Sequence, residues 1–316
     1  MDQEPEFTVV YIMGRGRSGS TVLDLMLDNH EKIQAVGELA TGFGFRSKVA
    51  RCACQALPNE CDFWGNIRKR LQQLHPETSL DQYSKMVNYM ARFYRILQIK
   101  TGIGTPAWLS TYDSMTYDLY ALIARKSHRS YIVDSSKDIG HAYYLLKRLP
   151  AKIKIIHLVR DGRGVMWSRL RQLRAGIPFQ FLRRYYTPKR HWTFMILTVL
   201  SWNVANMMGL LLRLLHNNQI IQVKYEDICR NPTQELIRIG GFLNLDLTPL
   251  KTKIENSEPF NIGHSIAGNP MRYSSSGNFT FKPDYAWRKQ LPRRYKLLFV
   301  LLAFPLALYY GYLHKP

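Results

Sequence analysis

The 316-residue sequence predicts an α/β fold, a parallel β-sheet carrying a P-loop-like turn and flanked by α-helices. Three observations predict it. An apolar run, Phe7 to Met13, breaks at the glycine-rich stretch Gly14–Thr21, GRGRSGST, and restarts as the helical pattern Val22, Leu23, Leu25, Met26 and Leu27. Short apolar strands then alternate with helical segments along the chain. Hydrophobic residues make up 46% of the sequence, enough for one large core, so 1–316 is read as a single domain with an insertion.

The first unit carries the strongest chemical signal. A strand that stops at glycine and becomes a helix presents backbone N–H groups at a helix N-terminus. There, unpaired donors and the helix dipole both favour negative charge. The spacing from Gly14 to Gly19, Ser20 and Thr21 is one letter from the nucleotide P-loop, G-x4-G-K-[ST]. Ser20 stands where the triphosphate lysine belongs, and the charge sits upstream in Arg15 and Arg17. The stretch reads either as an ordinary strand–helix turn or as a phosphate loop for a ligand other than a triphosphate. The strand before, the helix after and the two arginines favour the second. Arg15, Gly16, Arg17, Ser18, Gly19, Ser20 and Thr21 are its candidate anion contacts.

The helix ends at Asp28-Asn29-His30, and the apolar run from Ile33 ends in Gly37-Glu38. A carboxylate there points to the carboxyl edge of a parallel sheet, where open α/β folds bind ligands, unless it is a surface group at a helix start. Residues 41–130 are irregular around Gly42, Gly44 and three cysteines. They then turn helical near Ile67–Leu74, Tyr83–Gln98 and Tyr112–Arg125, with breaks at Gly102, Gly104 and Pro106. This region is expected to be a mainly helical insertion over the active edge, carrying acceptor specificity.

Tyr131–Asp134 is the next strand, with Lys137 past its carboxyl end and a helix over His141–Leu149. Ile153–Val159 follows, with Arg160 at its tip and a helix through Trp167 and Ser168. A strand-tip arginine suits a charge-assisted, bidentate bond to phosphate; the competing reading pairs it with Asp161. Trp192–Leu215 is long enough to span a bilayer, but its place inside an α/β unit favours a buried helix. Gln219–Val223 is a further strand that runs into Lys224-Tyr225-Glu226-Asp227, and Pro232 opens a helix to Phe242. Residues 261–281, with Arg272 and Ser274 to Ser276, form a polar loop suited to closing over a ligand. The end of the chain, 293–316, is an apolar helix interrupted at Pro305. It reads as packed against the domain or, with Arg293, Arg294 and Lys296 leading it, as peripheral membrane contact through 293–313.

Lysine and arginine number 44 against 23 acidic residues, a net charge of +21. That excess favours anionic partners. No recognisable nucleic-acid module accompanies it, so nucleic acid is not expected as a partner. Cys52, Cys54 and Cys61 form C-A-C-x6-C, and Cys229 stands alone. No paired C-x2-C and no neighbouring histidine completes a metal set, His75 being distant. The cysteines read either as loop thiols in a reducing compartment, the favoured reading, or as a zinc cluster that takes a fourth ligand. The opening MDQEPEF is acidic and has no apolar stretch, so the expectation is a cytoplasmic protein without a signal peptide.

Two motifs together resemble the sulfotransferases that use 3′-phosphoadenosine-5′-phosphosulfate (PAPS). In that family an [RK]-x-G-[ST]-[ST] loop holds the 5′-phosphosulfate; here it is Arg17-Ser18-Gly19-Ser20-Thr21. A strand-tip arginine and a serine eight residues on hold the 3′-phosphate; here they are Arg160 and Ser168 in VRDGRGVMWS. The tyrosylprotein branch, which shares features with carbohydrate sulfotransferases, is similar in more detail. Met26-Leu27-Asp28-Asn29-His30, Gly37-Glu38, Lys137-Asp138, and Ser276 ahead of Lys282-Pro283 match its pattern. Ile139 replaces a proline, and Ala286 stands where a lysine precedes Trp287, so that contact is either lost or moved to Arg288. The resemblance covers Phe7–Glu38 and Tyr131–Leu313.

The resemblance implies the sulfotransferase fold and transfer of a sulfuryl group from PAPS to a hydroxyl or amine, releasing PAP. Glu38 would be the base, Arg17 would stabilise the leaving phosphate, and Lys137 and Ser276 would stabilise the sulfuryl oxygens. Arg15 to Thr21, Arg160, Ser168, Tyr225, Ser276 and Arg288 would hold the donor. No metal is expected for this chemistry, because the donor has no triphosphate to clamp. The acceptor would be a carbohydrate, lipid, small molecule or peptide tyrosine. The alternative is a P-loop kinase or other nucleotide-dependent phosphotransferase, with Asp161 as its candidate metal carboxylate.

Overall fold

A computed structural model describes residues 6–43, 51–174, 191–268, 273 and 281–313. Its centre is β1 (Thr8–Gly14), TVVYIMG, a β-branched and aromatic run whose residues Thr8 to Met13 are all buried. A strand covered on both faces reads as such a continuous apolar run, without alternation. From there the chain runs through α1 (Ser20–Asp28), β2 (Ile33–Gly37), α2 (Leu39–Phe43), α3 (Asp62–Leu74), α4 (Leu80–Met90), α5 (Arg95–Thr101) and α6 (Leu109–Ser127). Next come β3 (Tyr131–Lys137), α7 (Ile139–Arg148), β4 (Lys152–Val159), α8 (Gly162–Arg174) and α9 (His191–Leu215). The chain closes with β5 (Ile220–Lys224), α10 (Tyr225–Arg230), α11 (Pro232–Leu243), α12 (Thr248–Glu255), α13 (Trp287–Gln290) and α14 (Arg293–Tyr309).

The strands form one parallel sheet in the order β2-β3-β1-β4-β5. The two faces of β1 feed different cores. Val9, Tyr11 and Met13 pack with the 41–130 helices, including Trp64, Tyr83, Tyr112 and Tyr120. Val10 and Ile12 pack with Leu23, Met26 and Leu27 of α1 and Leu236, Ile239 and Leu243 of α11. A third cluster joins α8, α9, α13 and α14 beside Val159. This is the predicted layered α/β architecture, with the helical insertion on one face.

Three boundaries differ from expectation. The strand from Tyr131 continues past Asp134 to Lys137, because Tyr11↔Asp134 and Met13↔Lys137 pair across an irregularity. One residue of β1 there, Ile12, faces two of β3, Ser135 and Ser136, a bulge of the kind that re-aims side chains beside active sites. The single helix expected over Tyr83–Gln98 is instead α4 and α5, broken at 91–94. The break carries no proline or glycine. Its cause is tertiary: a side chain at Gly140 would lie 2.6 Å from the Arg92 carbonyl oxygen, so the turn seats on bare backbone of α7. The C-terminal helix runs on through Pro305 rather than stopping there. The predicted loop over 261–281 lies largely outside the described residues.

The long apolar helix α9 is, among the described residues, the one helix that meets the length and composition of a membrane span. Its Phe194, Met195, Val199 and Trp202 are buried in the third cluster. It runs beside α14: Asn203 Nδ2 donates to the Leu302 carbonyl at 2.7 Å and Arg213 Nη2 to Tyr309 Oη at 2.7 Å. α14 buries Tyr295, Phe299, Ala303 and Ala307, and exposes Leu297, Leu301, Phe304 and Leu308. Phe299 fills the space over Gly162, where an added Cβ would meet its ring at 2.1 Å. Losing one such buried aromatic costs about 3–5 kcal/mol, and α14 supplies several groups of this core. Deleting 293–316 is therefore expected to give insoluble protein. A soluble, cooperatively melting truncation would contradict this packing.

Candidate active site

In a parallel sheet all carboxyl ends lie at one edge, and here each strand delivers a group to it. β1 leads into the 15–21 loop, β2 into Glu38, β3 ends at Lys137, β4 leads into Arg160 and β5 into Tyr225. They line one cavity of about 490 Å³ with Thr41, Ser136, Asp138, Ser168, Arg169, Arg171, Lys282 and Asp284.

The loop's shape follows from two left-handed residues. Gly19 precedes α1 at φ 93, and no side chain caps that helix. A helix N-terminus without a side-chain cap is the kind of end that suits an anion, through its dipole and its N–H groups. Gly19 must be glycine for a second reason: an added Cβ would sit 2.3 Å from the Tyr225 ring. Arg17 has φ 78, a conformation costing a non-glycine residue about 1–3 kcal/mol and found where function requires it.

Contacts between chain segments hold the loop. Arg17 Nε donates to Ser168 Oγ at 2.8 Å, and Arg160 Nη1 donates to the Arg17 carbonyl at 3.0 Å. The Arg160 guanidinium lies 4.3 Å from the Tyr225 ring centre, and the residue is 7% exposed. Burial, followed by the Arg160 and Arg171 guanidinia, lowers the Arg17 pKa from its ordinary value. Like charges this close call for an anion among them. In the structure Asp284 supplies part of it: its Oδ2 lies 2.7 Å from Arg171 and 3.6 Å from Arg160.

The other end of the cavity is acidic and basic together. Lys137, at φ 76, places Nζ 2.6 Å from Glu38 Oε1 and 2.9 Å from the Ser135 carbonyl. Thr41 Oγ1 donates to Glu38 Oε2 at 3.0 Å. Glu38 is aimed by its backbone. Gly37, at φ 74, leaves no room for a Cβ against the Ile266 carbonyl, 2.4 Å away. Glu38 N–H donates to that same carbonyl at 2.8 Å. Asp138 shares the site, its carboxyl pushed up to about 7 by burial, with Lys137 opposing and Glu38 adding to the rise.

The structure thus brings together Glu38, Arg15 to Thr21 (except Ser18, which is buried behind the loop), Lys137, Arg160, Ser168 and Tyr225. Ser276 lies outside the described residues. Arg288 is not among the described residues lining the cavity; it stacks over Tyr285 at 3.9 Å. Lys282 lines the cavity, a cation that this segment contributes among the described residues. Arg171 and Asp284 were not singled out from sequence, although Arg171 follows Ser168 by three residues on α8 and so shares its face. The kinase alternative is not favoured. Ser20 replaces the P-loop lysine, and Asp161, off the cavity, holds Arg163 at 2.7 Å. No histidine lines the cavity among the described residues.

Such an edge, with a glycine-rich loop lacking the P-loop lysine and cations from several strand ends, suits an anionic ligand. Residues 10–249 match the sulfotransferase family, and the chain belongs to it. Two solved structures share the fold. The sulfotransferase domain from the Synechococcus PCC 7002 olefin synthase has 21% identity and a TM-score of 0.51, covering 97% of this chain and 97% of that one. The sulfotransferase domain from the curacin biosynthetic pathway has 19% identity and a TM-score of 0.52, covering 96% and 98%. A comparison with curated proteins gives no match.

Beneath the loop, Asp24 of α1 is buried and accepts a hydrogen bond from Ser135 Oγ, while its Oδ1 has no partner. Burial raises its carboxyl from 3.8 to about 8, against the opposing pull of Ser135 and Lys137. The folded chain therefore holds this proton more tightly than the unfolded chain. The stability this group confers is present in acid and is lost as pH rises from 3.8 towards about 8. Asp24→Asn removes the titration, so its melting temperature should gain on wild type across that window. A difference independent of pH would contradict the assignment.

Proposed function

We propose that this chain transfers the sulfuryl group of PAPS to an acceptor hydroxyl and releases PAP. The observation that carries the reading is the joint made by Arg17, Ser168 and Arg160. It unites the two motifs whose family roles are to hold the 5′- and 3′-phosphates, and it does so at one wall of the cavity. The α1 N–H groups and Arg17 would take the 5′-phosphosulfate; Arg160 and Ser168 would take the 3′-phosphate, with Tyr225 packing beside them.

The proposed chemistry uses the opposite wall. Glu38 takes the acceptor O–H proton as the acceptor oxygen bonds to sulfur. The bond from sulfur to the 5′-phosphate oxygen breaks, and that oxygen keeps the electron pair. Arg17 stabilises the leaving phosphate. Lys137 moves from Glu38 towards the sulfuryl oxygens, where Ser276 is proposed to join it. Positioning and fixed charge carry most of the rate in such a transfer. The Met26–His30 and Gly37-Glu38 matches support a place beside the tyrosylprotein and carbohydrate branch. The proposed acceptor is accordingly a hydroxyl of a carbohydrate, lipid, small molecule or peptide tyrosine.

The test compares two ligands. Adenosine 5′-phosphosulfate lacks the 3′-phosphate, so Arg160→Ala should weaken PAP far more than this ligand in calorimetry. A lost charged hydrogen bond is worth about 1.5–3 kcal/mol, roughly 10- to 150-fold in Kd. Equal weakening of both ligands would overturn the assignment of Arg160 to the 3′-phosphate, and no PAP binding by the wild type would overturn the donor.

A further inference from the structure

The three clustered cysteines acquire a fourth neighbour that sequence spacing concealed. His264 reaches them from more than 200 positions along the chain, 203 residues beyond Cys61. One ligand atom from each of Cys52, Cys54, Cys61 and His264 lies within 4.8 Å of all the others. Cys54 Sγ is 3.7 Å from Cys61 Sγ. His264 Nδ1 is 3.6 Å from Cys52 Sγ and 3.5 Å from Cys61 Sγ.

These spacings are informative. A disulfide would bring two sulfurs to about 2.05 Å, so none of these pairs is one; all of the cysteines are free. Zinc bonds to sulfur at about 2.3 Å and to imidazole nitrogen at about 2.0–2.1 Å in a tetrahedron. Tetrahedral angles then set sulfurs roughly 3.8 Å apart, and sulfur and nitrogen roughly 3.6 Å apart. The three distances above agree with these values to about 0.1 Å.

We propose that Cys52, Cys54, Cys61 and His264 bind one zinc ion in a closed, structural Cys₃His site, separate from the transfer cavity. Three thiols and one imidazole leave no open position for substrate, which is the mark of a structural site. The surroundings fix the imidazole. Phe63 stacks on it at 5.1 Å with ring planes 7° apart, and Trp64 Nε1 donates to the His264 carbonyl at 2.6 Å. Cys52, Cys61 and Trp64 are buried, while Cys54 is exposed.

The site joins two distant segments at a consequential place. Ala53 N–H donates to the Ser265 carbonyl at 2.8 Å, Ala267 N–H donates to the Arg51 carbonyl at 3.2 Å, and Cys52 pairs antiparallel with Ile266. Ile266 N–H donates to the Val36 carbonyl at 2.9 Å, and its own carbonyl receives the Glu38 N–H. Zinc would therefore anchor the segment that covers the free edge of β2 and supports Glu38. A clip that closes a loop this long removes much freedom from the unfolded chain.

The inference stands apart from the donor assignment, because its test reads metal rather than sulfate transfer. The full chain, made in zinc-supplemented medium and purified without chelator, should carry one zinc per chain by elemental mass spectrometry. Its three clustered thiols should resist a thiol reagent until a strong chelator is added. Chelation should lower the melting temperature, and zinc, but not magnesium, should restore it. His264→Ala and Cys54→Ser should each reduce bound zinc at least tenfold; the exposed Cys54 gives a variant expected to stay folded by circular dichroism. Should both variants aggregate, the wild-type stoichiometry, thiol protection and zinc rescue still decide. Protein that lacks zinc, reacts at once with the thiol reagent and gains no stability from added zinc would overturn the proposal. Iron bound in zinc's place would do the same.

Discussion

The hydrogen bond from Arg17 to Ser168, answered by the bond from Arg160 to the Arg17 carbonyl, ties the loop after β1 to the strand tip and helix after β4. Parallel pairing of β1 with β4 makes this possible, because in-register strands end level. The cost is electrostatic. Arg17 and Arg160 are crowded where burial weakens solvation, with the more exposed Arg171 nearby, and Arg17 shows it in its lowered pKa. Asp284 balances two of the three guanidinia. An anionic ligand with two phosphate groups would relieve the same repulsion, so the site's charge is a reason for the fold to bind its proposed donor and not merely to tolerate it.

A second constraint sits at the other edge of the sheet. β2 is an edge strand, and an open edge needs covering. Ile266 supplies the cover with one residue, bonding Val36 and Glu38 on either side of Gly37. The left-handed Gly37 lets the chain turn there and leaves room for the Ile266 carbonyl. Asp134 extends the support: it accepts from Ser136 N–H and Oγ, and Ser136 Oγ accepts from the Ala40 N–H at the start of α2. Glu38 is thereby fixed by backbone on one side and by Lys137 and Thr41 on its two oxygens.

Much of this was legible in the sequence, for physical reasons. A central parallel strand must be apolar throughout, so Phe7–Met13 declared itself, and the glycine break after it fixed where the ligand edge lies. Strand tips followed, because a polar residue after an apolar run is forced to the sheet's edge; Glu38, Lys137 and Arg160 were found this way. What escaped depended on contacts between distant segments. The break between α4 and α5 arises from the bare backbone of Gly140, and no local breaker marks it. His264 is far from the cysteines in sequence, so a spacing rule that searches nearby could not find it. Arg288 was taken as a replacement for a lysine missing beside Trp287, whereas among the described residues Lys282, a few residues earlier, lines the cavity. The insertion over 41–130 was the least legible part, since it carries no strand tips to read.

The central claim is that Glu38 acts as the base, and its rival is that Glu38 serves only as the ion-pair partner of Lys137. The most direct measurement is the single-turnover rate of Glu38→Gln with donor bound, taken alongside its PAP affinity and melting temperature. Glutamine keeps the shape and removes the proton acceptor. The account predicts nearly unchanged PAP affinity and a rate lower by roughly 10²–10⁴, a loss carried in kcat as for a contact used in the transition state. Transfer by Glu38→Gln at near wild-type rate, with any deficit confined to stability or PAP binding, would contradict it.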